Sequence, residues 1–149
     1  RISTWVPPVG FPRLFRPRRW CDDVQEMIAA AAEEMISLGA DLLIFTGGMS
    51  VDPDDLTPTV IRSLGAEIIS YGVPAQPGNM TLIAYMNDIA IIGVPGAAIS
   101  LPTTMFDVLL PQLFTGLKIT KEDLIRLGDG GLCQQCKVCH FPNCTFGRY

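Results

Sequence analysis

Two stretches of this chain concentrate residues that can do chemistry. In the first, Thr46-Gly47-Gly48-Met49-Ser50-Val51-Asp52-Pro53-Asp54-Asp55, an apolar run stops at a glycine pair and is followed by three carboxylates. The glycines let a ligand approach the backbone closely, and Thr46 and Ser50 supply hydroxyl donors. A carboxylate such as Asp52 or Asp55 can hold a hard cation or serve in catalysis, while Asp54 or Asp55 can equally well cap a helix. In the second stretch, Cys133, Cys136, Cys139 and Cys144 crowd four thiols into one loop beside His140, the only histidine. Metal ligation is the leading expectation there. Three closely spaced cysteines suit an iron–sulfur cluster, the Cys133-x2-Cys136 pair suits a zinc knuckle, and free or disulfide-linked thiols are the alternative. Cys21, the fifth cysteine, has no partner pattern.

The residues of the first stretch need a scaffold, and the flanking patterns supply one. Positions 42–45 suit a buried parallel strand running straight into the glycine pair, and ligands of open α/β sheets sit at such strand ends. Before it, Val24, Met27, Ile28, Ala31, Met35 and Ile36 recur at helical spacing and predict a helix capped by Asp22 or Asp23 and ended by Gly39. After it, Thr57-Pro58 predicts an N-cap and first-turn proline for a short helix bearing Val60, Ile61 and Leu64. Strands follow at 66–70, 80–85 and 89–94, the last two joined so tightly that they should pair antiparallel at one edge of the sheet. Gly96 opens a long helical stretch that contains Pro102 and Pro111, and Thr120 to Asp123 reads as a capping-box start for a last helix. The pattern predicts an α/β fold with three layers, a mixed and mostly parallel sheet between helices. Met27, Met35, Met80, Met86 and Met105 fall at core-facing positions.

Composition narrows the function classes. The 149 residues, 48% of them hydrophobic, suffice for one domain with a real core. The longest apolar runs, 80–86 and 89–94, are far short of the roughly 20 residues needed to cross a bilayer, so no membrane span is expected. A net charge of −4 argues against a nucleic-acid surface, and the cluster Arg13, Arg16, Arg18 and Arg19 reads as a solvated arm. Cysteines crowded at one end suit a reducing compartment, which predicts a cytoplasmic protein. Three regions are expected: a Pro- and Arg-rich segment at 1–20, an α/β domain at 21–128 and a cysteine-rich tail at 129–149.

Thr46-Gly47-Gly48 reaching Asp55 and Thr57-Pro58, then Gln76-Pro77-Gly78-Asn79, then Gly93-Val94-Pro95-Gly96-Ala97-Ala98, stand in an order that resembles the molybdopterin-binding domain of the MoeA/MogA molybdenum-cofactor biosynthesis family, also found in gephyrin. The resemblance runs over roughly residues 22–117. It implies that molybdopterin is held by Thr46, Gly47, Gly48, Ser50, Pro77, Gly78, Asn79, Pro95 and Gly96. It also implies catalysis at Asp55 and Asp52, either as adenylyl transfer from ATP or as molybdate insertion. Because carboxylates repel a ligand that carries a phosphate, Mg²⁺ is the expected companion in that loop. A homo-oligomer and a molybdoenzyme partner are further expectations.

Two departures from the family loops bear on turnover: Asn79 stands where a lysine is usual, and Ala97-Ala98 stand where the family has Asn-Pro. A non-catalytic carrier or insertion chaperone is therefore the rival reading, and a metal- or redox-sensing module using the tail is a third. The family's first strand and its Gly-Ser/Asn-Glu loop do not occur in residues 1–20, so the chain is expected to carry part of the domain.

Overall fold

A computed structural model describes residues 18–49, 52 and 55–148. The elements are α1 (Gln25–Ser37), β1 (Leu42–Thr46), α2 (Thr57–Ser63), β2 (Glu67–Tyr71), β3 (Leu82–Met86), β4 (Ile89–Val94), α3 (Ala97–Ser100), α4 (Met105–Phe114) and α5 (Lys121–Arg126). The four strands form one sheet in the order β1-β4-β3-β2. β1 and β4 run parallel with Thr46 opposite Val94, while β4 with β3 and β3 with β2 are antiparallel.

The sheet is mixed, as expected, but only one of its pairings is parallel. The β3–β4 hairpin lies in its middle rather than at an edge, because β2 returns along the outer side of β3.

Strand alternation sorts the core into two layers. Leu43 and Phe45 of β1, Leu82 and Ala84 of β3 and Ile91 of β4 face α1 and α2, meeting Ile28, Ala32, Met35, Val60 and Ile61. On the opposite face, Ile44, Ile83, Tyr85, Ile92 and Val94 meet Met105, Leu109 and Leu113 of α4 and Leu124 near the chain's end. Helices therefore cover both faces, which is the expected three-layer arrangement. Met35 and Met105 are core residues, but Met27 is 45% exposed because the buried stripe of α1 runs through Ile28, Ala31, Ala32 and Met35.

Helix ends depart from expectation where a side chain is used elsewhere. Val24, not Asp22 or Asp23, is the N-cap of α1 and makes no side-chain cap bond. Thr57 is the first residue inside α2 rather than its cap, since its hydroxyl donates to the carbonyl of Gly47 at 2.9 Å. Thr120 and Asp123 do form the capping box of α5, and Thr104 with Asp107 forms a second one on α4. The stretch after Gly96 is two helices: Leu101 is extended (φ −110°, ψ 142°) because the following Pro102 disfavours the helical region.

The tail after residue 128 packs against the domain. Phe146 is 3% exposed within the α4 layer, and Phe141, Cys133 and Cys144 pack against the same cluster.

Candidate functional site

The parallel pairing of β1 and β4 brings two predicted loops side by side. Thr46 and Gly47 leave the end of β1 where Pro95 and Gly96 leave the end of β4, and these residues line a pocket of about 420 Å³. Ile44, Ala98, Ile99, Leu101, Pro102, Phe106 and Asp107 complete its wall. Gly47 has φ +94°, a conformation that favours glycine at the turn itself. Gly96 has helical angles (φ −57°), and a Cβ built on it meets no protein atom within 4 Å, so its lack of a side chain leaves room in the pocket.

The second glycine of the pair has a different role. Gly48 (φ +58°) backs onto α2, where a Cβ would come within 2.7 Å of Thr57 Oγ1, and it is not part of the pocket wall. Gly93 is open on one side for Met49, whose side chain lies against it and buries itself on the sheet.

Among the described residues, no lysine or arginine lines the strand-end pocket, and Asp107 is its one carboxylate. That group is held by the α4 capping box, accepting from Thr104 N–H at 2.8 Å and from Thr104 Oγ1 at 3.2 Å. An anion entering here would meet backbone N–H groups, a threonine hydroxyl and apolar walls. The missing Cβ of Gly96 adds open space on that side of the pocket. Asp107 was not singled out in the sequence; the Thr104-x2-Asp107 spacing is the signal that marks it, though only as a cap.

Asp52 and Asp55 lie outside the pocket wall. Asp52 is exposed and its carbonyl accepts from Asp55 N–H at 3.0 Å, while Asp55 is half-buried. Ser50 and Asp54 fall outside the described residues. Burial raises the pKa of the Tyr71 hydroxyl, the Asp55 carboxylate raises it further and Arg62 opposes them, which brings the three side chains into one electrostatic neighbourhood.

The third predicted loop leaves the same edge of the sheet, since Leu82 pairs with Gly93, but it does not line the strand-end pocket. Pro77 and Gly78 are buried against the start of α4, where the Pro77 carbonyl accepts from Met105 N–H at 3.1 Å, and Asn79 is exposed. Pro77 instead lines a second cavity of about 220 Å³, shared with Thr103, Cys133, Cys136, Cys139, His140 and Cys144. All four tail cysteines thus open on one space, although among the described residues no three His, Cys, Asp or Glu side chains are gathered as metal ligands. The Thr103 hydroxyl and Cys139 Sγ are 3.2 Å apart, and this hydrogen bond, with one from the Phe141 backbone, lowers the Cys139 pKa.

The fold and pocket define a three-layer α/β domain with a ligand cleft at the ends of adjacent parallel strands. Residues 16–115 match the family described as "Probable molybdopterin binding domain", and the chain belongs to that family. It is similar to a molybdopterin molybdenumtransferase of Bacillus subtilis (strain 168), 36% identical over 75 residues, which are 50% of this chain and 17% of that protein. A molybdopterin molybdenumtransferase of Synechococcus elongatus is 32% identical over 93 residues, 61% of this chain and 23% of the relative. The crystal structure of the molybdopterin biosynthesis MoeA protein from Pyrococcus horikosii shares 32% identity, with a TM-score of 0.49 over 62% of this chain and 22% of that one. The chain spans about a fifth of the length of the curated relatives it matches. No helix among the described residues is long and apolar enough to cross a membrane.

Proposed function

We propose that the strand-end pocket binds molybdopterin and that the chain serves molybdate transfer to it during cofactor assembly. The observation that carries this is that Gly47 and Gly96, just beyond the paired strand ends Thr46 and Val94, line one pocket whose backbone groups and unfilled volume suit a phosphate-bearing, flat ligand. Asp55, with Asp52, is the candidate for metal-assisted chemistry, using Mg²⁺ to offset the repulsion between carboxylates and the ligand's phosphate. Adenylyl transfer from ATP uses the same groups and is distinguished by the nucleotide consumed. A cytoplasmic homo-oligomer that delivers the cofactor to a molybdoenzyme completes this reading.

A carrier without turnover is the second reading, favoured by the lack of any lysine or arginine among the described residues of the pocket wall and by Asn79 in place of the family's lysine. Gly96→Leu tests the pocket itself. The helical φ and open surroundings accept the new side chain, so stability should move by no more than about 0.5 kcal/mol while molybdopterin fluorescence titration shows binding lost. Full affinity in that variant would remove the pocket from consideration. Molybdate insertion by the wild type then separates enzyme from carrier.

A further inference from the structure

The cysteine tail is a loop with both ends fastened. Gln76 N–H donates to the Gly131 carbonyl at 2.6 Å and Cys133 N–H donates to the Gln76 carbonyl at 2.8 Å, forming a short parallel bridge between Gln76 and Leu132. At the far end, Gly147 N–H donates to the Gly130 carbonyl at 2.9 Å, and Phe146 is buried in the core beside the edge of the Phe141 ring. Gly130 and Gly131 are needed where they are, since a Cβ on either would run into backbone carbonyls.

Between those fastenings the chain has little to hold it. Val138 is 68% exposed, and all four cysteines are free. Cys133 and Cys144 sit low, packed against the core, whereas Cys136 and Cys139 are exposed nearer the mouth of the cavity that all four line. Gln135 adopts φ +49°, which turns the backbone between Cys133 and Cys136. The four thiols line one cavity without being gathered as ligands, so an ion placed there would have to draw them together within a loop whose two ends are fixed. A soft metal is the partner that thiolate-rich sets select, and its binding supplies the order that so little buried apolar surface cannot.

The opposite wall of this cavity is Leu101, Pro102 and Thr103, and Leu101 with Pro102 also lines the strand-end pocket. Thr103 is 4% exposed, and its hydroxyl meets Cys139 Sγ. A thiolate bound to metal at Cys139 still accepts that hydrogen bond, as ligands commonly do from an outer partner.

We propose that Cys133, Cys136, Cys139 and Cys144 hold a thiophilic metal centre, either one zinc ion or one iron–sulfur cluster, and that loading it sets the 101–103 wall so that pterin affinity depends on the tail metal. The coupling half rests on the strand-end pocket being the molybdopterin site. Binding releases the thiol protons to solvent and requires no change of oxidation state for zinc. A cluster is delivered preformed, or is assembled from sulfide with ferrous and ferric iron in the ratio the cluster holds, so that no further oxidant or reductant is needed.

The test uses the whole chain purified without oxygen. Metal and sulfide analysis with visible absorbance separates zinc from a cluster, and about one centre per chain is expected. Cys136→Ser and Cys139→Ser are the informative variants, because both side chains are exposed and their loss leaves the core intact; each should lose the metal. Stripping the metal should weaken molybdopterin binding by about tenfold, reloading should restore it, and Thr103→Val should keep the metal while losing most of that difference. A chain that neither retains nor takes up metal, with thiols alkylated equally fast with or without added Zn²⁺ and with iron plus sulfide, overturns the proposal. Metal bound with unchanged pterin affinity overturns the coupling. Metal bound through the four cysteines with no pterin binding in either state overturns the pocket assignment and the coupling together, and upholds the metal centre.

Discussion

The Thr57 hydroxyl donates to the Gly47 carbonyl at 2.9 Å and so ties the glycine turn after β1 to the first turn of α2. Gly48, between them, has φ +58° and room for no side chain on the Thr57 side. Gly48→Ala should therefore cost about 1–3 kcal/mol from backbone conformation and collision. The same substitution in a Thr57→Ala background should cost less, because the colliding oxygen is gone. Denaturant unfolding of the four proteins in the cycle measures the difference, expected at about 0.5–3 kcal/mol; strict additivity would show that the two residues do not act on each other.

Among the described residues, Asp107 presents the only carboxylate on the strand-end pocket, and it also caps α4. Asp107→Ala should lose about 1 kcal/mol of stability with the capping box and yet bind molybdopterin more tightly, since a negative group near the ligand's phosphate is removed. Thermal melts and fluorescence titration report the two effects separately. Weaker binding in a folded variant would mean that Asp107 helps hold the ligand.

Asp55 can be examined without any ligand through its neighbour. Its charge is one of the causes that raise the Tyr71 pKa, so Asp55→Asn should shift the Tyr71 hydroxyl back toward its ordinary value in an ultraviolet alkaline titration, and Arg62→Gln should shift it the other way. In a molybdate-insertion assay, Asp55→Asn is expected to spare pterin binding and abolish turnover. Loss of folding instead would reveal a structural role.

Phe146 holds the end of the cysteine tail in the α4 layer. Phe146→Ala should cost about 3–5 kcal/mol, the usual penalty for emptying a buried aromatic site. A change below about 0.5 kcal/mol in urea unfolding would mean that the tail does not contribute to the domain's core.

The α5 capping box makes an acid-side prediction. Hydrogen bonds from Thr120 N–H and Oγ1 lower the Asp123 pKa below its ordinary 3.8. A carboxylate with a depressed folded pKa adds stability that is complete above the unfolded value and disappears as pH falls through the folded one. The Tm difference between wild type and Asp123→Asn should be largest near neutral pH and close as pH drops below 3.8. A gap independent of pH would exclude the charge as its source.

Features that depend on a few neighbouring residues were legible in the sequence alone. The continuous apolar run of β4, the helical stripe of α1, the Thr120-Asp123 box and the glycine turn at 47–48 each follow from local composition, periodicity, capping or steric freedom, and each recurs in the fold. Membership of the molybdopterin-binding family was also legible, because its loops carry recognisable residues in a recognisable order. Which loops meet was decided only by tertiary structure. Parallel pairing of β1 with β4 sets Gly47 and Gly96 on one pocket, while Pro77, hydrogen-bonded to the start of α4, lines the cysteine cavity beside it. Local propensity carries no information on strand order, since the same alternating pattern fits an edge or a centre, and burial on both faces makes the choice. The same holds for Phe146: an isolated aromatic in a polar tail looks exposed until α4 offers a surface that buries it.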